Sequence, residues 1–440
     1  MKSVIVAAGA AALSLIMATP LPAQVGNPAT PQVGRPMSGP FVGPPAPAEI
    51  SPAAPRTGPL PADLTLIELL DEAAARSPAV LAAERDVAAA EARVRQAGYR
   101  NNPELSVEVE NFSGTGALKG LRSTEVTAAL NQRLDLGGRR GARIAVARAE
   151  LAVQQLRLAI ARADLAQSVR QQFAQTVAAR ERLAQAKDNV EWAEELARVA
   201  GLLVDAGRDP PLRAIRARSA LAQAQAVRAA AEAEESAARS SLAALLGVST
   251  PVTRVKGSSV DLTARMIAPE SSLAVRLAEA ESTAAEASLR QQLAERRLDP
   301  AVGAGIRHVR ETGDFGFVAG ISMPLQAFNR NQGNIAAARA AVASAQARRA
   351  GALATTTANA RNAIGNVEAA QRRVKALEGS AIPEAREGLR LAQLSYEEGR
   401  SSLLELLDAR NAYTEAQAQL TDAWLALAVA TAELGRVSAK

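Results

Sequence analysis

Few residues in this chain are placed to do chemistry. One histidine, His308, and no cysteine occur in 440 residues, so a His/Cys metal site cannot be assembled within one chain. The most suggestive spacing is Glu405 with Asp408, inside YEEGRSSLLELLDAR (Tyr396–Arg410). Carboxylates three residues apart share a helix face, where they attract cations and repel anions. Ser402 stands three residues before Glu405, the spacing of a capping box, so Glu405 also reads as a helix-start residue. There is no phosphate-binding loop and no nucleophile with a plausible base. The expectation is a protein that is not an enzyme, with no cofactor and no metal.

Composition narrows the class further. Aromatics are 2% of the chain, and Ala with Leu, Glu, Arg and Gln dominates, a mix that suits close helix–helix packing. Charged residues are 22% with both signs interspersed, so the net +6 is a small excess over a mixed surface. Lys and Arg do not cluster with aromatics as a nucleic-acid face requires. No nucleic-acid partner is expected. Lys2, the apolar run Val4–Met17 and the Pro20, Pro22, Ala23 region read as an export signal cut after Ala23. Without cysteine, an exported chain has neither disulfides nor a lipid-bearing N-terminal cysteine. Residues 24–61, rich in Pro, Gly and Ala, read as an extended leader.

The remainder carries one plan twice. QRLDLGGRRGARI (Gln132–Ile144) corresponds to MPLQAFNRNQGNI (Met323–Ile335), with Leu134 matching Leu325. AGRDPPLRAIRARSALAQAQ corresponds to EGRSSLLELLDARNAYTEAQ, with Gly207 matching Gly399. A near-constant offset marks an internal duplication. The repeats are assigned to 62–247 and 269–437, joined by 248–268. Each reads helix, strand, strand, very long helix, tight turn, helix. The first runs near 63–98, 103–111, 122–132, 137–204, 205–211 and 212–246. The second runs near 269–298, 300–310, 315–325, 333–397, 398–402 and 403–436. Gly365, Gly379 and Pro383 predict a kink or break in the second long helix.

Two patterns decide the architecture. In the first long helix, Val146, Val153 and Ile160 form one lane, and Leu151, Leu158 and Leu165 form another about 140° away. A helix with two apolar seams has a neighbour on each side, which favours a ring of helices over a single coiled coil. In the strands, Leu105, Val107 and Val109 alternate with polar residues. So do Thr124, Val126, Ala128 and Leu130, and so do Phe315, Phe317, Ala319, Ile321, Met323 and Leu325; Val302, Ala304 and Ile306 are weaker. Such segments have the length of membrane β-strands, which must close into a barrel. Four cannot close, because the smallest such barrels have about eight strands. The fold class is therefore mainly α with a membrane β-barrel portion, completed by association of copies.

These residues resemble the TolC family of outer membrane efflux proteins, nearest to the CzcC-like heavy-metal branch. The resemblance rests on QAGYRNNPELSVEVEN, LDLGGRR, PL-x-x-FNRNQGNI and the paired AG and EG turns, and covers about 64–437. It implies a homotrimer with a twelve-stranded barrel in outer membrane lipid and a helical tunnel through the periplasm. It implies a duct fed by a periplasmic adaptor and an inner-membrane RND-type pump, with divalent heavy-metal cations as cargo. By the same resemblance, Tyr396, Glu405 and Asp408 stand at the tunnel entrance, and Gly207, Arg208, Gly399, Arg400 and Leu403 at adaptor-facing tips. Ser401 replaces a basic gating residue of the family, and Arg213 and Arg216 stand opposite Glu405 and Asp408. Alternatives are a multidrug or polypeptide outlet of the same family, and a periplasmic adaptor or coiled-coil scaffold. The glycines of LDLGGRRG read as a sharp strand-to-helix passage, with Arg139 and Arg140 at lipid headgroups or in a solvated turn.

Overall fold

The computed structural model describes Gly58, Leu60, Pro61 and residues 63–257 and 268–439. The expected signal 1–23, nearly all of the leader 24–61, and 258–267 of the connecting segment lie outside the described residues.

The first expected helix, 63–98, is divided. Asp63–Leu64 form a short strand, β1, and Thr65 opens α1 (Leu66–Arg76). A full capping box starts α1: Glu68 N donates to Thr65 Oγ1, and Thr65 N donates to Glu68 Oε2 at 2.8 Å. Ser77 interrupts because Pro78 follows it, and a residue before proline is driven out of helical backbone. Pro78 then begins α2 (Pro78–Gly98), where its missing N–H costs nothing.

Next come β2 (Glu104–Glu110), β3 (Glu125–Arg133), the long helix α3 (Arg139–Asp205) and α4 (Pro211–Leu245). A second short strand, β4 (Arg254–Val255), pairs in parallel with β1. No sequence pattern predicts this pairing. It closes the bulkiest core in the described chain, in which Leu64, Leu69 and Val255 pack with Phe173 of α3 and Leu242 of α4. The later half repeats the plan with α5 (Leu273–Glu295), β5 (Ala301–Val309), β6 (Asp314–Ser322), α6 (Gln332–Ala376), α7 (Ile382–Glu397) and α8 (Leu403–Val437). Between α6 and α7 the helix neither breaks nor ends. Leu377–Ala381 adopt one π-helical turn around Gly379, a widening that absorbs the strain expected there, and Gly365 passes without interruption.

The sheet is antiparallel in the order β2-β3-β5-β6. Its register sets Val107, Ala128, Ile306 and Phe317 in one row, and Leu105, Leu130, Ala304 and Ala319 in the next. One face is thus apolar across all four strands, and Phe317 on it is 94% exposed. The opposite face carries Glu104, Glu108 and small residues such as Gly303 and Gly305. There Arg307 ties three strands together through Glu110 at 3.1 Å and Glu125 at 3.0 Å. β6 stops at Ser322, short of the expected Met323 and Leu325, because Pro324 cannot donate to the ladder. Thr124 likewise falls just outside β3. Among the described residues, β2 and β6 each lack a strand on their outer side.

The helices repeat the order of the strands. α3, about 100 Å long by its 67 residues, packs against α2 and α4 of its own half and α5 and α8 of the other. Arg182 marks its position between them, reaching Glu234 of α4 and, at 2.7 Å, Asp422 of α8. α3 therefore has helix neighbours in both halves, as a helix with two apolar seams requires. α6 packs on α5 and α8, and α7 on α8. Among the described residues no helix is long and apolar enough to cross a membrane.

Candidate functional site

The two tight turns at the far ends of the long helices are the place where the sequence put its candidates. After α3, Gly207 takes φ +68°. Its N–H donates to Val204 O at 2.9 Å, and Arg208 N donates to Leu203 O at 2.9 Å. After α7, Gly399 takes φ +71°. Its N–H donates to Tyr396 O at 3.0 Å, and Arg400 N donates to Ser395 O at 2.8 Å. Both are the left-handed C-terminal cap that favours glycine. The two turns matched by sequence share the same pattern of backbone hydrogen bonds.

Beneath the turns one apolar cluster joins four helices: Leu196 and Ala200 of α3, Ala217 of α4, Leu389 of α7, and Leu403 and Leu406 of α8. Leu403 is 2% exposed and belongs to this packing, so its side chain is not on the outer surface of the tip. Leu404 beside it is exposed, as are Leu202, Leu212 and Ile215 around the other turn. Arg208 and Arg400 are exposed on the turns themselves, and Arg400 pairs with Glu398 at 3.1 Å.

Glu405 and Asp408 lie exposed on one side of the first turns of α8, and neither has an ion-pair partner among the described residues. Ser402 Oγ accepts from Glu405 N at 3.3 Å. The reciprocal bond that completes the box at Thr65 is not formed here, so only half of the expected capping box exists. The Glu405 carboxylate is free for another use.

Tyr396 is turned inward. Its hydroxyl is buried without a hydrogen-bond partner, as are Asp209 Oδ2 and Ser401 Oγ. Burial pushes the Tyr396 phenol above its ordinary value; the Asp209 carboxylate adds to this and Arg213 opposes it. Asp209 is itself ion-paired to Arg213. Sequence reasoning missed Asp209, although Asp and Arg four apart at a helix start is a readable signal. It also missed Arg410, whose guanidinium lies 5.0 Å over the Trp192 ring and bonds Asn189 at 3.1 Å. That stack fastens α8 to α3 just behind the tip.

At the opposite ends of the helices, Arg139 and Arg140 are half-buried against the ends of neighbouring helices. Arg139 donates to Glu295 O at 2.9 Å and Arg297 O at 2.6 Å, and pairs with Asp299 at 3.2 Å. Arg140 donates to Gly98 O at 2.6 Å. Each caps the carbonyl end of a helix, where a guanidinium is favoured. His308 sits on the apolar sheet face against Phe315, with ring centroids 4.7 Å apart.

The sequence model of the family described as "Outer membrane efflux protein" matches residues 69–248 and again 267–439. The nickel-cobalt-cadmium resistance protein NccC of Alcaligenes xylosoxydans xylosoxydans is 32% identical over 286 residues, 64% of this chain and 65% of NccC. The chain thus spans just under two thirds of that relative. The cobalt-zinc-cadmium resistance protein CzcC of Cupriavidus metallidurans is 28% identical over 361 residues, covering 80% of this chain and 85% of CzcC. In fold, the chain is similar to the outer membrane protein VceC of Vibrio cholerae. That match has a TM-score of 0.70 and 19% identity, over 85% of this chain and 96% of VceC. The chain belongs to the outer membrane efflux protein family, and the outer membrane is its place in the cell.

Proposed function

We propose that three copies of this chain form the outlet duct of a tripartite efflux system, with a twelve-stranded barrel in the outer membrane and a helical tunnel in the periplasm. One observation carries the reading: sheet and helices end in open edges together. Among the described residues β2 and β6 lack outer strand neighbours, while α3 packs on helices of both halves and the helix partners of α6 are chiefly α5 and α8. Four strands cannot close in lipid, so identical strips joined edge to edge satisfy the backbone. Head-to-tail joining of one edge to the other closes a ring.

In this duct the turns at Gly207 and Gly399, with Arg208 and Arg400, face a periplasmic adaptor, and Leu403 braces them from within. Tyr396, Glu405 and Asp408 stand at the entrance, fed by an inner-membrane RND-type pump. The names of NccC and CzcC favour divalent heavy-metal cations as cargo, and free carboxylates at the entrance suit cations. Mass measurement of the purified detergent complex tests the assembly. The expected species is a heat-labile trimer; a stable monomer inserted in membranes would overturn the reading.

A further inference from the structure

Among the described residues, the four-stranded sheet sets two acids directly opposite each other at one place: Glu110 of β2 and Glu125 of β3 are ladder partners. Like charges so placed repel, their Cβ atoms about 4.5–5.5 Å apart. Glu104 and Glu108 of the same face stand opposite Asn131 and Thr127 instead, and have no ion-pair partner among the described residues. Arg307 of β5 lies over the opposed pair with its whole fork engaged. Its Nη2 meets Glu110 Oε2 at 3.1 Å, its Nη1 meets Glu125 Oε2 at 3.0 Å, and its Nε donates to the Thr127 hydroxyl at 3.0 Å. Asn111 donates to the other oxygen of Glu125 at 3.4 Å. One planar cation therefore stands between two carboxylates.

We propose that Arg307 is a specificity-determining residue at the exit of the duct. Its guanidinium fills the place a divalent cation would take between Glu110 and Glu125, so cargo cations pass the acidic wall without being chelated there. The inference rests on the duct reading and deepens it. The network lies at the hairpin end of the sheet, away from the helices, and on the polar face, which lines the lumen when the apolar face meets lipid. Strand side chains stand perpendicular to their sheet, so a neighbouring strand bonded along the edge of β2 leaves this face open. In the single chain 37% of the Arg307 side chain and 49% of the Glu110 side chain are exposed, within reach of a passing ion. Two carboxylates converging on one point are an oxygen donor set for a hard divalent cation. Three copies put three such sets around one exit. Conduction needs attraction strong enough to draw an ion in and weak enough to let it leave. Glu104 and Glu108, single along the wall, supply the attraction. Arg307 withdraws the one opposed pair. Arginine suits the task because it stays charged and its fork meets two carboxylates at once.

The test uses the assembled full chain in planar bilayers carrying a potassium current, with Mn²⁺ added on the barrel side. Arg307→Gln is expected to be blocked by Mn²⁺ at a concentration about ten-fold below that needed for the parent. Combining Arg307→Gln with Glu110→Gln and Glu125→Gln removes bridge and donors together, and is expected to return the parent's sensitivity. A mere staple between strands would change the heat stability of the complex without creating a block that the two glutamines abolish. Equal sensitivity of Arg307→Gln and the parent overturns the inference and leaves the duct standing. A block that persists in the triple variant overturns it too, because the ion is then held elsewhere. If Arg307→Gln does not assemble, preparing it with millimolar Mn²⁺ is expected to restore the complex, the cation taking the guanidinium's place; no recovery overturns the inference. A parent that assembles but carries no current overturns the duct reading itself, and the role of Arg307 with it.

Discussion

Gly207 and Gly399 occupy the same place in two copies of one turn. Their φ angles are +68° and +71°, and each is followed by an arginine whose N–H reaches back to the carbonyl five residues earlier. A side chain with Cβ is strained in that conformation by about 1–2 kcal/mol. Gly399→Val should therefore loosen the second tip and weaken crosslinking to the adaptor while the trimer still assembles. Unchanged crosslinking and unchanged export would count against a docking role for the turn.

The acidic side of α8 makes a separate prediction. Asp408→Asn with Glu405→Gln should reduce cation preference in planar bilayers, most clearly at low salt, where screening is weak. Ser402→Ala removes the helix cap alone and should cost about 1 kcal/mol of local stability without altering selectivity. The reversal potential under a salt gradient separates these effects. An identical value for the double mutant and the parent would remove the entrance role of the carboxylates.

Tyr396 predicts an alkaline response. Its phenol is held above the ordinary value of 10.0, first by burial and then by Asp209. A folded value raised above the unfolded one means the tip keeps this contribution up to about pH 10 and loses it as pH climbs through the raised value. The tyrosinate absorbance titration of the parent minus that of Tyr396→Phe should isolate a group ionising above the ordinary value. A difference curve centred at or below that value would contradict the buried placement.

Arg139 is expected to matter for stability, not transport. Removing it strands Asp299, whose side chain is 8% exposed, and uncaps the carbonyls beyond α5. Breaking one partner of a buried pair costs about 3–5 kcal/mol. Arg139→Ala should thus lower the temperature at which the complex loses structure, and adding Asp299→Asn should restore part of it. A lysine cannot span three oxygens with one planar fork, so Arg139→Lys should rescue poorly. Equal melting of Arg139→Ala and the parent would sink this account.

Much of the architecture was legible because it depends on short-range rules. Alternation in ELSVEVE fixes which side of a strand is apolar, and the two lanes on α3 require neighbours on both sides. The glycine at each turn follows from backbone stereochemistry alone, and the repeat offset tied the two turns together. None of these needs knowledge of what lies across the fold.

What only the tertiary structure decided involves partners far apart in sequence. Arg139 and Asp299 are 160 residues apart, and nothing local in LDLGGRR announces that its arginines cap α5 and α2. Leu403 looked like a surface residue of a turn, yet the meeting of α3, α4, α7 and α8 buried it. Asp209 and Tyr396 belong to different repeats, and only helix packing makes one carboxylate act on the other's phenol. The break at Ser77 was written locally in Pro78, but the pairing of β1 with β4 was not, because a two-residue strand has too little period to read. Periodicity specifies which face of an element is buried; the side chain it meets there is set when distant elements pack and compete for the same space.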